Sequence, residues 1–440
     1  MDILIKIAQL FLCFTILVGI HELGHFLMAR AFKIRVEKFY IFFDPWFSLF
    51  KFKRGDTEYG LGWLPLGGYV KIAGMIDESM DKEQMNQPVK PDEFRAKPAW
   101  QRLLVMVAGV MMNVLLAIVI YCAVCYTWGD SYFSNQDAKW GYNFNPTAHE
   151  MGFRDGDRFV SIDGEEIDNV MRVQNDLLIT DGGRRVVVER GGEPVTLDIP
   201  FESLLRMRQE KAYEDLFTLR LPFIVDSVSY TSAVEAGLQS GDEVVAIDDL
   251  RDADYPRYRD YLQKHKNDKV LLTVRRDGAL IDSLALPVDA EGRIGVTVTN
   301  PYSLRTQYYT FWESIPAGIH KAGKTISSYW DQLKLIVQPK TKMYEELGGF
   351  VAIGSIFPGS WDWHDFWLKT AFLSIILAVM NLLPIPGLDG GHALFTLWEI
   401  ITRRKPSEKF LEVAQYVGLM IILALLVYAN GNDIYRFFIK

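Results

Sequence analysis

The chain has 440 residues, of which 49% are hydrophobic, and its 47 Lys and Arg against 55 Asp and Glu give a formal net charge of −8. The length admits more than one domain, and the acidic balance argues against a nucleic-acid partner. Cys13, Cys122 and Cys125 all lie in apolar stretches, so no disulfide framework is implied.

The first predicted element is an apolar helix over 3–29, long enough to span a bilayer, which takes roughly 20 residues. A cleaved signal peptide would end in small residues, whereas here "HELGHFLMAR" follows the apolar core, so the segment reads as a retained span. His21 and His25 stand at i and i+4 and share one helical face. Two imidazoles so placed can reach one zinc ion, and Glu22 beside the first is suited to act as general base for the attacking water. Gly24 leaves room for another backbone to approach. Ionisable groups inside a span are costly and point to function; the bland reading is a polar cluster snorkelling at the interface.

Between the first and second spans the basic residues are Arg30, Lys33, Arg35, Lys38, Lys51, Lys53, Arg54, Lys71, Lys82, Lys90, Arg95, Lys97 and Arg102. Arg403, Arg404 and Lys405 lie between the last two. Positive charge marks the cytoplasmic side, so the long middle region and both termini are expected outside. Within the basic segment, "EYGLGWLPLGGYVKIAGM" (58–75) reads as strands punctuated by Pro65, Gly67 and Gly68. An open edge at Gly67, Gly68 and Tyr69 is suited to pair with an unwound substrate helix; the alternative is a hairpin that only plugs a cavity.

The second span covers 103–128 and contains "GVMMN", 109–113. Beyond it, "AHEMGFRDGDRFVSIDG" (148–164) recurs as "AVEAGLQSGDEVVAIDD" (233–249), each followed by alternating strands. The pattern resembles bacterial protease-associated PDZ domains, which add a peptide strand to a sheet edge; a pure spacer is the competing reading. In the second copy, "RLPFIVDSV" (220–228) is the expected peptide-binding edge. Residues 311–337 have helical spacing with mixed charge, fitting a helix on the outer membrane surface or a brace for the repeats. The glycine-rich 345–357 stretch fits a reentrant or interfacial segment. His320 and His364 read as surface histidines.

The third span, 367–383, is cut off by Pro384 and Pro386, and "MNLLPIPGLDGGH" (380–392) follows. Irregular backbone at membrane depth needs a protein or wet-cavity lining, so this segment is expected beside the HELGH turn, with Asp389 or His392 as a third metal ligand. The fourth span is 410–428.

HELGH in the first span, with Asn381, the Pro-rich break and Asp389-Gly-Gly after the third, resembles the site-2 protease family of intramembrane zinc metalloproteases, of the type carrying tandem PDZ domains. The resemblance covers essentially the whole chain. It implies that His21, His25 and Asp389 bind Zn2+, that Glu22 activates water, and that Asn381 lines the cleft. GVMMN resembles the family's G-P-x-x-N, with Val110 in place of proline, which leaves a less kinked helix and the role of Asn113 undecided between packing and site contact. The 58–75 stretch resembles the family's membrane-associated β-region, and 311–337 its helical segment after the second PDZ domain.

The expected fold is thus a polytopic α-helical membrane protein with four transmembrane helices, a cytoplasmic β-region and two α+β PDZ-like domains inserted between the second and third helices. In order these are the first helix with HELGH (1–30), the β-region (31–100), the second helix (101–128), the PDZ-like domains (129–212 and 213–302), a helical and interfacial segment (303–366), the third helix with its LDGG motif (367–392), and a cytoplasmic link, fourth helix and tail (393–440). The resemblance implies an inner-membrane protease that cuts single-span membrane proteins, such as anti-sigma factors and remnant signal peptides, in the lipid bilayer, with the PDZ pair excluding bulky substrates. The rivals are a non-proteolytic scaffold with structural zinc and a zinc transporter. Structural zinc takes four protein ligands, and transport does not need the LDGG break or the tandem insert.

Overall fold

The computed structural model describes residues 2–65, 67–75, 88–213, 215–252 and 254–436, excluding the Glu408 side chain. Lys82 of the basic segment, Leu66 of the glycine-rich stretch and 437–440 of the tail lie outside the described residues. The chain forms two compact units, Met1–Asp130 with Tyr308–Lys440, and Ser131–Gln307.

The first unit is built on helices long and apolar enough to cross a membrane. They are α1 (Asp2–Ala31), α2 (Ala99–Trp128), α4 (Trp363–Leu382) and α6 (Glu408–Ile434). Twenty residues at 1.5 Å each give α4 about 30 Å, the thickness of a hydrocarbon core. Each expected span is present, with ends a few residues longer except at the C-terminus of α2, which agrees, and of α4, which stops one residue short. The amphipathic α3 (Phe311–Val337) starts at a capping box formed by Thr310 and Glu313. Central α2 packs against α1, α3 and α4. Gly24 allows this on the α1 side: a β-carbon there would stand 2.4 Å from the Ala108 carbonyl oxygen.

Helix α4 ends where proline requires it. Leu383 precedes Pro384 and adopts φ −59°, ψ 143°, outside the helical region. The chain then turns through Gly387, at φ +97°, and starts a helix the sequence reading did not contain, α5 (Asp389–Thr402). Residues 393–402 are therefore helix rather than link. The Gly390-Gly391 pair reads as a breaker, yet it is what lets α5 begin here: a β-carbon on Gly390 would lie 2.3 Å from the Leu383 carbonyl oxygen. Arg102 near the start of α2 donates to Glu399 of α5 at 2.5 Å, which fixes α5 along α2. Residues 345–357 form two short helical turns, Met343–Glu346 and Phe350–Ser355. Asp433 of α6 accepts from the Val351 and Ala352 amides.

Strands β1 (Val36–Ile41), β2 (Phe50–Arg54), β3 (Thr57–Leu61) and β4 (Tyr69–Ile72) make one sheet in the order β2-β3-β1-β4. β4 is an edge strand, antiparallel to β1.

The second unit contains a four-stranded and a five-stranded sheet. The first contains β5 (Arg158–Ile162), β6 (Glu165–Glu166), β7 (Arg184–Arg190) and β8 (Glu193–Ile199), ordered β8-β7-β5-β6. The second contains β9 (Phe223–Val228), β10 (Glu243–Ile247), β11 (Lys269–Arg276), β12 (Ala279–Pro287) and β13 (Val296–Val298), ordered β12-β11-β10-β9-β13. One expectation fails here. Residues 220–228 do not supply an open edge, because β9 is flanked by β10 and β13. The chain returns after β12 to lay β13 alongside β9, so β13 is the edge strand on that side.

The sequence repeat is matched by a repeated ion pair. Asp157 receives two hydrogen bonds from Arg190, at 2.8 and 2.7 Å, and one from the Arg154 amide. Asp242 receives two from Arg276, at 2.6 and 2.7 Å, and one from the Gln239 amide. Both aspartates are buried. Burial alone would raise the Asp242 pKa, but the bonds from Arg276 and the Gln239 amide outweigh it and hold the carboxyl below its ordinary range. A depressed carboxyl adds stability at neutral pH that is lost as pH falls through its folded value, here below about pH 4. Asp242→Ala removes the acceptor of two Arg276 bonds and of the Gln239 amide and is expected to lower the opening free energy of this sheet. Hydrogen exchange of β10 and β11 amides in the whole protein reads this directly; unchanged protection would show that the pair is not the brace.

Candidate metal centre

The α1 helix turns His21 and His25 to one face, where both are buried, at 8% and 7% exposure. What admits them is Gly109 of α2. A β-carbon on Gly109 would stand 2.4 Å from His25 Nε2 and 2.7 Å from His21 Cε1. Val105, one turn earlier on the same face of α2, offers its carbonyl oxygen to His25 Nδ1 at 2.8 Å. A carbonyl can only accept, so Nδ1 carries the proton and the Nε2 lone pair faces inward.

Asp389, the first residue of α5, meets this pair. Its Oδ2 lies 3.1 Å from His21 Nε2 and 3.2 Å from His25 Nε2, and the two nitrogens are 3.3 Å apart. Oδ2 is buried without a hydrogen-bond partner. A lone pair on His25 Nε2 facing a carboxylate oxygen is repulsive unless a positive centre sits between them. Tetrahedral zinc with bonds of about 2.0 Å places neighbouring ligands about 3.3 Å apart. The three donor atoms therefore fit a zinc ion, and among the described residues they form the one group of three or more His, Cys, Asp or Glu with that property.

Of the other expected site residues, Asn381 at the end of α4 is part of the cluster, with Nδ2 3.3 Å from His21 Nε2. Gly68 is beside the site: a β-carbon on it would lie 3.3 Å from Glu22 Cγ and 2.7 Å from Val18 Cγ1. Gly67 sits against Phe43. Tyr69 does not point its hydroxyl at the centre. It donates to Asp44 at 3.0 Å and stacks on Tyr40. His392, the competing ligand, lines a separate cavity with Gly74, Phe94, Arg102 and Glu399. Sequence reasoning missed Val105 and Gly109, whose signal was the four-residue spacing of Val105, Gly109 and Asn113 on one face of α2.

A profile of peptidase family M50 matches residues 9–425. "Regulator of sigma E protease" of Haemophilus influenzae is 27% identical over 460 residues, 99% of this chain and 100% of the relative. Proteins named "Putative zinc metalloprotease" are 29% identical in Clostridium perfringens, over 96% of both chains, and 29% identical in Vibrio cholerae, over 99% of both. With a metal-binding cluster at the meeting point of α1, α2 and α5 and a family match over nearly its whole length, the chain belongs to peptidase family M50, the site-2 type of zinc metallopeptidase.

Proposed function

We propose that this protein hydrolyses peptide bonds within the transmembrane segments of single-span membrane proteins. One observation carries the reading: two imidazole nitrogens and a carboxylate oxygen converge inside a bundle of bilayer-length helices. His21, His25 and Asp389 would hold the zinc, which would supply the Lewis acidity that polarises a scissile carbonyl and acidifies water. Glu22 takes the proton of the attacking water and passes it to the leaving amine nitrogen. Asn381, whose amide nitrogen stands beside His21, donates to the developing oxyanion.

A helical substrate hides its carbonyls in its own hydrogen bonds and must be extended before attack. The β4 edge, preceded by Gly68 next to Glu22, is suited to hold it in that form. The basic residues between α1 and α2 and at 403–405 support a cytoplasmic location for these segments and an outer one for the second unit in an inner membrane. The two outer modules act as PDZ-like domains, at 129–212 and 213–302, which exclude substrates with a large outer domain. The relative named for sigma E regulation makes anti-sigma factors the leading substrate class, with remnant signal peptides as a second.

The test is cleavage of a single-span substrate by protein reconstituted in liposomes, with the cut mapped by mass spectrometry. Glu22→Gln is expected to remove activity, by about 100-fold or more as for loss of a general base, while zinc content stays at the native level. A Glu22→Gln protein that still cuts at the native rate would overturn the mechanism.

A further inference from the structure

One buried polar side chain next to the centre has no part in the hydrolysis proposed for it. Asn113 of α2 is fully buried, at 0% exposure. Its Nδ2 stands 3.3 Å from His21 Nδ1, and its Oδ1 is buried with no hydrogen-bond partner. Leaving a buried amide oxygen unpartnered is destabilising, so packing alone is a poor reason for an asparagine here. Its backbone is held from the other side: Ser374 Oγ of α4 donates to the Asn113 carbonyl at 2.8 Å. Asn113 thus sits where α1, α2 and α4 meet, one helical turn beyond Gly109.

The chemistry of His21 decides which amide atom must face it. A neutral imidazole that gives its Nε2 lone pair to a metal carries its proton on Nδ1. The neighbour of Nδ1 must then be an acceptor. A half-turn of the amide about its last bond exchanges Nδ2 for Oδ1 and puts the orphaned acceptor there. We infer that Asn113 is a positioning residue whose Oδ1 accepts the Nδ1 proton of His21, fixing its tautomer and ring plane so that Nε2 faces the metal. Val105 does the same for His25 with a backbone carbonyl, and one stripe of α2 orients both imidazoles. This rests on the reading that His21 is a zinc ligand.

The test is zinc affinity of the full-length protein in detergent, measured by competition with a chelating dye, for Asn113→Ala, Asn113→Leu, Asn113→Asp and, as a reference, Asp389→Ala. Ala and Leu remove the acceptor, and Leu keeps the volume. Both are expected to weaken zinc by about 10- to 100-fold, the usual effect of losing an outer-shell partner. Asp keeps an acceptor and is expected to bind zinc within a few-fold of native. Thermal unfolding of the zinc-free proteins separates a folding defect from a metal defect: the Leu variant is expected to melt with the native apo protein. Native zinc affinity in the Ala and Leu variants, alongside loss in Asp389→Ala, overturns the role of Asn113 and leaves the zinc site standing. Native affinity in Asp389→Ala as well overturns Asp389 as a ligand, and with it the three-residue site on which the role of Asn113 rests.

Discussion

Asp389→Ala is expected to leave the protein folded and without zinc. The substitution removes the one donor that α5 contributes to the centre, where Oδ2 lies 3.1 and 3.2 Å from the two imidazole nitrogens. Two histidines one helical turn apart on α1 then remain, a chelate open on two sides. Losing an outer-shell partner costs zinc sites about 10- to 100-fold, and losing a ligand costs more, so a drop of at least about 1,000-fold is expected. Cleavage falls with it. The fold has other supports: α5 remains tied to α2 by the Arg102–Glu399 pair, and the Gly390 approach to Leu383 is backbone. Zinc content per protein by atomic emission, together with thermal unfolding, gives the answer. Retention of one zinc per chain would mean that another residue is the third ligand.

Gly109→Val has nearly the same expected effect, although Gly109 has no donor atom. Its β-carbon would overlap His25 Nε2 at 2.4 Å, with His21 Cε1 and Nδ1 at 2.7 and 2.9 Å. Both rings would have to turn away from the metal or α1 would have to leave α2. Overpacking of this kind costs about 1–3 kcal/mol of stability, but the larger consequence is on geometry, since two of the three ligands move. Zinc affinity is expected to fall by at least about 100-fold, beyond an outer-shell loss. Met111 is two residues along α2 on the exposed face, at 58% exposure. Met111→Val is therefore the matched control, expected to bind zinc and cleave as the native protein. Equal behaviour of the two variants would contradict the contact geometry.

The spans and the histidine pair were legible because each is written in short-range spacing. Bilayer-length apolar runs specify helices without reference to partners, and i, i+4 histidines specify a shared face. The prolines before Asp389 and the glycines after it announce irregular backbone at membrane depth, which left Asp389 and His392 both open, and the family resemblance chose Asp389. What was missed depends on which element lies next to which. The α5 helix was hidden because Gly390 and Gly391 read as breakers until the carbonyls they pack against are known. The assignment of 220–228 as an open edge failed because strand order is not contained in alternation; β13 arrives from far along the chain. Asn113 was singled out but left undecided between packing and site contact, because Val110 stands where the resembling motif has proline. The Arg190 and Arg276 partners of the repeat were passed over because they sit in ordinary-looking strand ends.

The distance along the chain between the HELGH turn and Asp389 bears on biosynthesis. A ribosome completes α1, the basic segment, α2 and the whole outer unit before it reaches residue 389. Until α4 and α5 have been made, the nascent polypeptide holds two of the three candidate ligands, His21 and His25, and lacks both Asn381 and Asp389. The candidate metal centre therefore closes only after the second unit has been synthesised.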